Sequence, residues 1–164
     1  MSPTDEVPFR RQYLEAKRQH PGAIMLFRMG DFYETFDGDA ELVARELDII
    51  LTRKAAGKQG YVPMAGIPHH AAESYIARLI AKGHHVAICE QTSTEAVKGL
   101  FKREVVRVIT PGTVVEPGML DAQRNNYLAA VAFTPAADRA AIAHADITTG
   151  EFAVTQLTSG DVPA

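Results

Sequence analysis

The chain has 164 residues, 46% of them hydrophobic and 23% charged, with 17 Lys and Arg against 20 Asp and Glu, and no tryptophan. That balance suits a globular protein with enough chain for one complete core and part of a second. It excludes a membrane span, since no apolar run nears the ~18–20 residues required, and the single cysteine excludes an internal disulfide or a cysteine-based zinc cluster.

The N-terminus lacks the basic-then-apolar order of a secretion signal, so the chain reads as cytoplasmic. PFRRQYLEAKRQHPG (8–22) predicts a helix with Phe9, Tyr13 and Leu14 on one side and a Pro-Gly stop. AIMLFRM (23–29) is a continuous apolar run suited to a strand covered on both faces. Gly30 permits a tight turn, after which DFYETF (31–36) resumes as a short strand. DGDAELVARELDI (37–49) predicts a helix with Asp39 as its N-cap; Leu42, Val43, Leu47 and Ile50 form the apolar stripe.

ILTRK (50–54) has the character of a strand end, followed by a glycine-punctuated loop. VPMAGIPHH (62–70) reads as a stiff turn segment, with Pro63 and Pro68 bracketing Gly66. AAESYIARLIAKG (71–83) predicts a helix with Ile76, Leu79 and Ile80 inward and Gly83 as its stop. Strands HVAICEQT (85–92) and REVVRVIT (103–110) complete an α/β fold, a mixed sheet flanked by helices; Cys89 falls in the apolar run as a buried, inert thiol.

Residues 1–113 thus form one domain and the Pro/Gly-rich segment 114–125 a linker. From 126 to 164 the pattern changes to three short strands, NYLAAVAF, AAIAHADIT and GEFAVTQL, an antiparallel meander. LTSGDVPA then has a helix-start pattern, with Ser159 or Asp161 as cap and Pro163 in the first turn. Three strands leave a sheet face uncovered, so the expectation is a second domain that continues beyond residue 164 in a longer protein.

Charge is uneven. Residues 1–113 carry 15 Lys and Arg against 14 Asp and Glu, a net of +1, whereas 114–164 carry 2 against 6, a net of −4. Basic residues cluster at Arg53, Lys54 and Lys58, and again at Lys98, Lys102, Arg103 and Arg107. Both clusters are candidate contacts to a nucleic-acid backbone; ordinary solvated faces are the alternative.

No GxxxxGK[ST], GxSxG, HExxH or CxxC occurs, and no catalytic constellation is complete. The pairs His69/His70 and His84/His85 lack metal-site geometry, because adjacent strand residues point oppositely and a pair at a helix start is solvated. Asp146 offers one carboxylate of a two-metal nuclease whose partners would lie beyond residue 164.

The distinctive stretch is FRMGDFYETF (27–36). If it is extended, Phe32 and Glu34 project to one side. If it is helical, Phe32, Tyr33 and Phe36 form an apolar stripe with Glu34 off to the side. In the strand form the pair is exposed, and a ring beside a carboxylate suits a flat, hydrogen-bonding ligand such as a nucleobase.

These residues also carry a resemblance. QYLEAKRQHPGAIMLFRMGDFYETFDGDA, LDIILTRK, VPMAGIPHHAAESYIARLIAKG, VAICEQ and REVVRVITPGT cover nearly all of residues 8–113 in order and resemble the N-terminal part of the MutS family of DNA mismatch-recognition proteins. YLAAV and DITTGEF, in the meander, are similar to the start of that family's ribonuclease H-like connector domain. The resemblance implies that Phe32 wedges into the duplex from the minor groove and stacks on a mispaired or unpaired base, and that Glu34 hydrogen-bonds that base.

It further implies that the Pro63–Pro68 loop, with Met64, lies close to the DNA. The implied partner is double-stranded DNA in the bacterial nucleoid. The family acts as a homodimer whose ATP and magnesium belong to a downstream ATPase domain, so no cofactor, metal or catalysis is expected of residues 1–164, which are expected to be monomeric. The rival classes are a metal-dependent nuclease built around Asp146 and an interaction module without DNA contact.

Overall fold

The computed structural model describes residues 7–93, 95–96, 100–114, 125–136 and 138–158. Contacts divide the chain into two compact units, Met1–Pro111 and Gly112–Ala164. Most of the expected linker, Lys98 and the helix start after residue 158 lie outside the described residues.

The first unit runs α1 (Pro8–Gln19), β1 (Ala23–Met29), β2 (Phe32–Phe36), α2 (Asp37–Leu47), β3 (Thr52–Ala55), β4 (Tyr61–Pro68), α3 (Ala72–Ala81), β5 (His85–Gln91) and β6 (Arg103–Ile109). Its six strands form one sheet in the order β3-β4-β2-β1-β5-β6. Among the described residues only β1 and β5 pair in parallel; every other neighbour is antiparallel, so the sheet is mixed. β1 is central, and its first five residues are buried, as the unbroken apolar run predicts.

Helix α1 lies on one face. Tyr13 packs edge-on to Phe27 and Phe36, with ring centroids 5.8 and 4.8 Å away, and joins Met25, Ala87 and Cys89 in a buried cluster. Burying each large side chain of this kind contributes about 1.5–3 kcal/mol. The Tyr13 hydroxyl donates to the Phe36 carbonyl at 3.1 Å and accepts the Phe36 N–H at 3.2 Å, tying α1 to the end of β2. Burial, chiefly, pushes that hydroxyl far above the ordinary tyrosine range, and the Asp39 carboxylate pushes the same way. α2 and α3 cover the other side through Val43, Leu47, Ile76, Leu79 and Ile80, against β2, β4 and β5.

Three local expectations are corrected. Asp39 is not the N-cap of α2, which starts at Asp37 with no side-chain cap. Its carboxylate instead accepts the Met25 N–H at 3.0 Å and pairs with Lys17 at 2.9 Å, bracing α2 against α1 and β1. Ile50 is 83% exposed, because the helix ends at Leu47 and Asp48 takes a left-handed φ of 56°.

The third correction is that residues 61–68 are not a turn segment but strand β4, inside the sheet. The prolines are tolerated because β3 pairs with residues 61–64 and β2 with 64–68. Pro63 and Pro68 therefore each have one neighbouring strand only, where a missing N–H need not interrupt a ladder.

The second unit is the expected meander, β7 (Tyr127–Phe133), β8 (Arg139–Asp146) and β9 (Phe152–Thr158), antiparallel in that order. Tyr127, Leu128, Val131, Phe133, Phe152 and Val154 are all exposed on it.

Candidate nucleic-acid interface

The segment 32–36 is a strand, which settles its two possible forms against the helical one. Gly30, at φ 60°, begins the two-residue turn Gly30–Asp31 that returns β2 alongside β1, with Met29 opposite Phe32 and Phe27 opposite Glu34. A positive φ at the first turn position fits the II′ hairpin class, where glycine is favoured. On the other side, Phe32 faces Pro68 and Glu34 faces Gly66. Phe32 and Glu34 thus share the α1 face, but Phe32 stands at the strand's outer end.

Phe32 is 48% exposed, whereas Phe36, two positions after Glu34 on the same side, is fully buried under Tyr13. One strand therefore carries its aromatic side chains from solvent into the core. Gly66 leaves the inner flank of the pair as bare backbone. A Cβ added there would meet Phe32 Cδ1 at 3.8 Å and Glu34 Cγ at 3.9 Å, an ordinary packing distance.

Glu34 is less open than its ring partner. Its side chain is only 14% exposed and forms an ion pair with Lys54 of β3, which lies beyond β4. The Lys54 ammonium also sits 5.4 Å from the centre of the Phe9 ring, a cation–π distance. The expectation of a fully exposed pair is corrected to an exposed ring beside a sheltered, neutralised carboxylate.

The opposite face of β2 holds the tip in place. Tyr33 is buried, its hydroxyl donates to the Glu90 carboxylate, and its ring lies 5.4 Å from that of His69. Burial and the Glu90 bond push the Tyr33 hydroxyl well above the usual range, so it remains a donor. The Arg28 guanidinium covers the same ring at 5.7 Å, and the His69 N–H donates to the Asp31 carbonyl at 2.8 Å, closing the turn onto the end of β4.

The other sequence-predicted residues are dispersed. Arg53 and Lys54 lie on edge strand β3, and Lys58 in the β3–β4 connection, at the end of the sheet away from Phe32. Lys102 and Arg103 stand at the start of β6, the opposite edge, about 24 Å across five strand spacings. Lys102 is exposed and pairs with Glu104 at 2.8 Å.

Arg103 is committed inward: it donates to the carbonyls of Arg28 and Phe101 at 2.6 and 3.1 Å and lies 5.2 Å above the Phe27 ring. Burial holds its guanidinium below the usual arginine range. Arg107 is exposed further along β6. Met64 is half-buried against the aromatic cluster, paired with Phe36 rather than Phe32. Among the described candidates, only Lys102 and Arg103 share the Phe32 end of the sheet.

Burial pushes the Cys89 thiol up to about 12, with Arg103 opposing, which fits an inert sulfur. Asp146, the candidate nuclease carboxylate, is buried in its own turn. It accepts N–H bonds from Asn126 at 3.1 Å and Thr148 at 2.9 Å and the Thr149 hydroxyl at 2.9 Å. Burial alone would raise its pKa, but these bonds outweigh it and hold the carboxyl below the usual range. Among the described residues no three His, Cys, Asp or Glu side chains are placed to hold a metal ion.

The chain matches the family model described as MutS domain I over residues 7–117. It is 54% identical over 163 residues to a DNA mismatch repair protein MutS of Symbiobacterium thermophilum, covering 98% of this chain and 18% of that protein. It is also 54% identical over 151 residues to one of Dehalococcoides mccartyi, covering 92% of this chain and 17% of the relative. A Synechococcus sp. MutS is 51% identical over 161 residues, covering 95% of this chain and 18% of its own length. The chain therefore spans under one fifth of these relatives.

Proposed function

The chain belongs to the MutS family of DNA mismatch repair proteins, and on that premise we propose that it is the part that probes duplex DNA for mispaired or unpaired bases. Phe32 enters from the minor groove and stacks on the faulty base, and Glu34 hydrogen-bonds it. One observation carries this reading: a half-exposed ring at the outer end of a strand whose next same-face positions are a sheltered carboxylate and a core phenylalanine. The ring is presented by a stiff element, so its position is set before DNA arrives.

The physics suits a reader that must accept many mispairs in any sequence. Driving an apolar wedge between base steps costs about a few kcal/mol of unstacking, and less where pairing is already faulty. Each ~1.4 kcal/mol of that difference is tenfold in affinity. Recognition thus reads deformability, with Glu34 adding a polar contact that only a displaced base can return.

The partner is double-stranded DNA of the bacterial nucleoid, in the cytoplasm; among the described residues no helix is long and apolar enough to cross a membrane. The complete protein works as a homodimer and uses ATP and magnesium through residues outside this chain, while residues 1–164 catalyse nothing. Of the basic residues singled out in the sequence, Arg53, Lys58, Lys102 and Arg107 are exposed, and these are the proposed phosphate contacts.

The test is Phe32→Ala in the complete protein, titrated against a single-mismatch duplex and its matched twin. Mismatch preference is expected to vanish while the melting temperature moves by no more than about 4 °C, as for a surface substitution. A large fall in melting temperature with preference retained would make the ring a core residue and end this reading.

A further inference from the structure

We propose that Lys54 is a positioning residue for Glu34, restraining its carboxylate in the free protein and on perfect duplex, and that it thereby sets how strongly mispairs are preferred. This rests on the reading of Glu34 as a base-contacting group. Lys54 Nζ lies 2.5 Å from Glu34 Oε2, and both side chains are largely sheltered, 28% and 14% exposed. Lys54 is fixed from a second direction by the Phe9 ring at the start of α1, 5.4 Å away. Lys54 reaches Glu34 across an intervening strand, so the contact is made by the fold and not by neighbours in sequence.

The consequence is electrostatic. A bare carboxylate beside Phe32 would meet phosphate repulsion on any duplex, which weakens all binding. With Lys54 attached, Glu34 approaches a perfect duplex as half of a neutral pair. To bond a displaced base it must give up that pair. Lys54 therefore lowers the repulsion on matched DNA and raises the cost of engaging a mispair, and both effects reduce selectivity in exchange for grip.

The experiment is Lys54→Met and Lys54→Arg in the complete protein, each with Glu34 intact and with Glu34→Ala, titrated on matched and single-mismatch duplexes at two salt concentrations. Lys54→Met is expected to weaken matched-duplex binding and raise the mismatch-to-match ratio about threefold, the scale of a partly exposed ion pair. Lys54→Arg, which keeps the charge, is expected to hold the ratio near its original value. In the Glu34→Ala background the Lys54→Met effect on the ratio should disappear.

If Lys54→Met instead weakens both duplexes equally in both backgrounds and lowers the salt slope by about one, Lys54 is a plain phosphate contact and the proposal is wrong. An unchanged ratio in every Lys54 variant overturns it as well. Failure of the underlying reading shows separately, as an unchanged ratio for Glu34→Ala alone. Should Lys54→Met unfold the protein, Lys54→Gln, which keeps most of the stem, takes its place in the cycle.

Discussion

At the scale of single residues, Phe32 and Glu34 differ in what holds them. Phe32 has strand neighbours on both sides and solvent above, whereas Glu34 has a counter-charge. Glu34→Ala both removes a negative charge and releases Lys54. In the complete protein, matched-duplex affinity is expected to rise about threefold, and its salt dependence to steepen by about one ion if Lys54 then meets a phosphate. Discrimination should fall from the matched side. Titrations at 50 and 200 mM salt, about the range over which such slopes are read, check this; tighter mispair binding with unchanged matched binding would contradict it.

At the scale of elements, the turn between β8 and β9 hangs on Asp146. Its carboxyl is held below the usual range in the fold, so its bonds add stability above the ordinary carboxylate range, and that stability is lost as pH falls through the folded value. Asp146→Asn should therefore lower the stability of the second unit at neutral pH and flatten its dependence between about pH 5 and pH 2. Denaturant unfolding of both proteins across that range is the check, and parallel pH profiles would refute it.

The elements also show how far sequence pattern reaches. β1, α1, α3 and β5 were legible because apolar period and length coincide with burial there. β6 and the meander were legible instead from short apolar and β-branched runs bounded by turn residues, although β7, β9 and most of β6 are not buried. β4 was hidden by two prolines, which read as breakers until its staggered, one-sided pairing is known. The Asp39 cap failed because a carboxylate near a helix start has competing donors, here Met25 and Lys17, that only tertiary structure brings near. In the site, Phe32 and Glu34 could be read from strand alternation. The Lys54 contact could not, since it depends on strand order across β4.

At the scale of the molecule, the basic residues are divided between opposite sheet edges, with Arg103 and Lys54 occupied by protein groups. With a net of +1 over residues 1–113, this part can release few counterions unaided. Residues 1–164 alone are expected to bind DNA weakly, to separate a single-mismatch duplex from its twin poorly, and to hydrolyse no ATP. Titration of a labelled duplex pair at low and moderate salt is the measurement; tight, selective binding by this piece alone would show that recognition is self-contained.

The parallel pairing of β1 with β5 sets an order of assembly. Ala23 meets His85, so β2, α2, β3, β4 and α3 all belong to the crossover whose ends the central ladder must bring together. The β1–β2 hairpin needs only its two-residue turn, and short loops close at far smaller entropic cost than long ones. On a ribosome, the hairpin bearing Phe32 is expected to zip while one edge of β1 is still bare. Folding speed is then expected to be governed at β5, far along the chain from Phe32, whose hairpin is expected to be among the first structures to form.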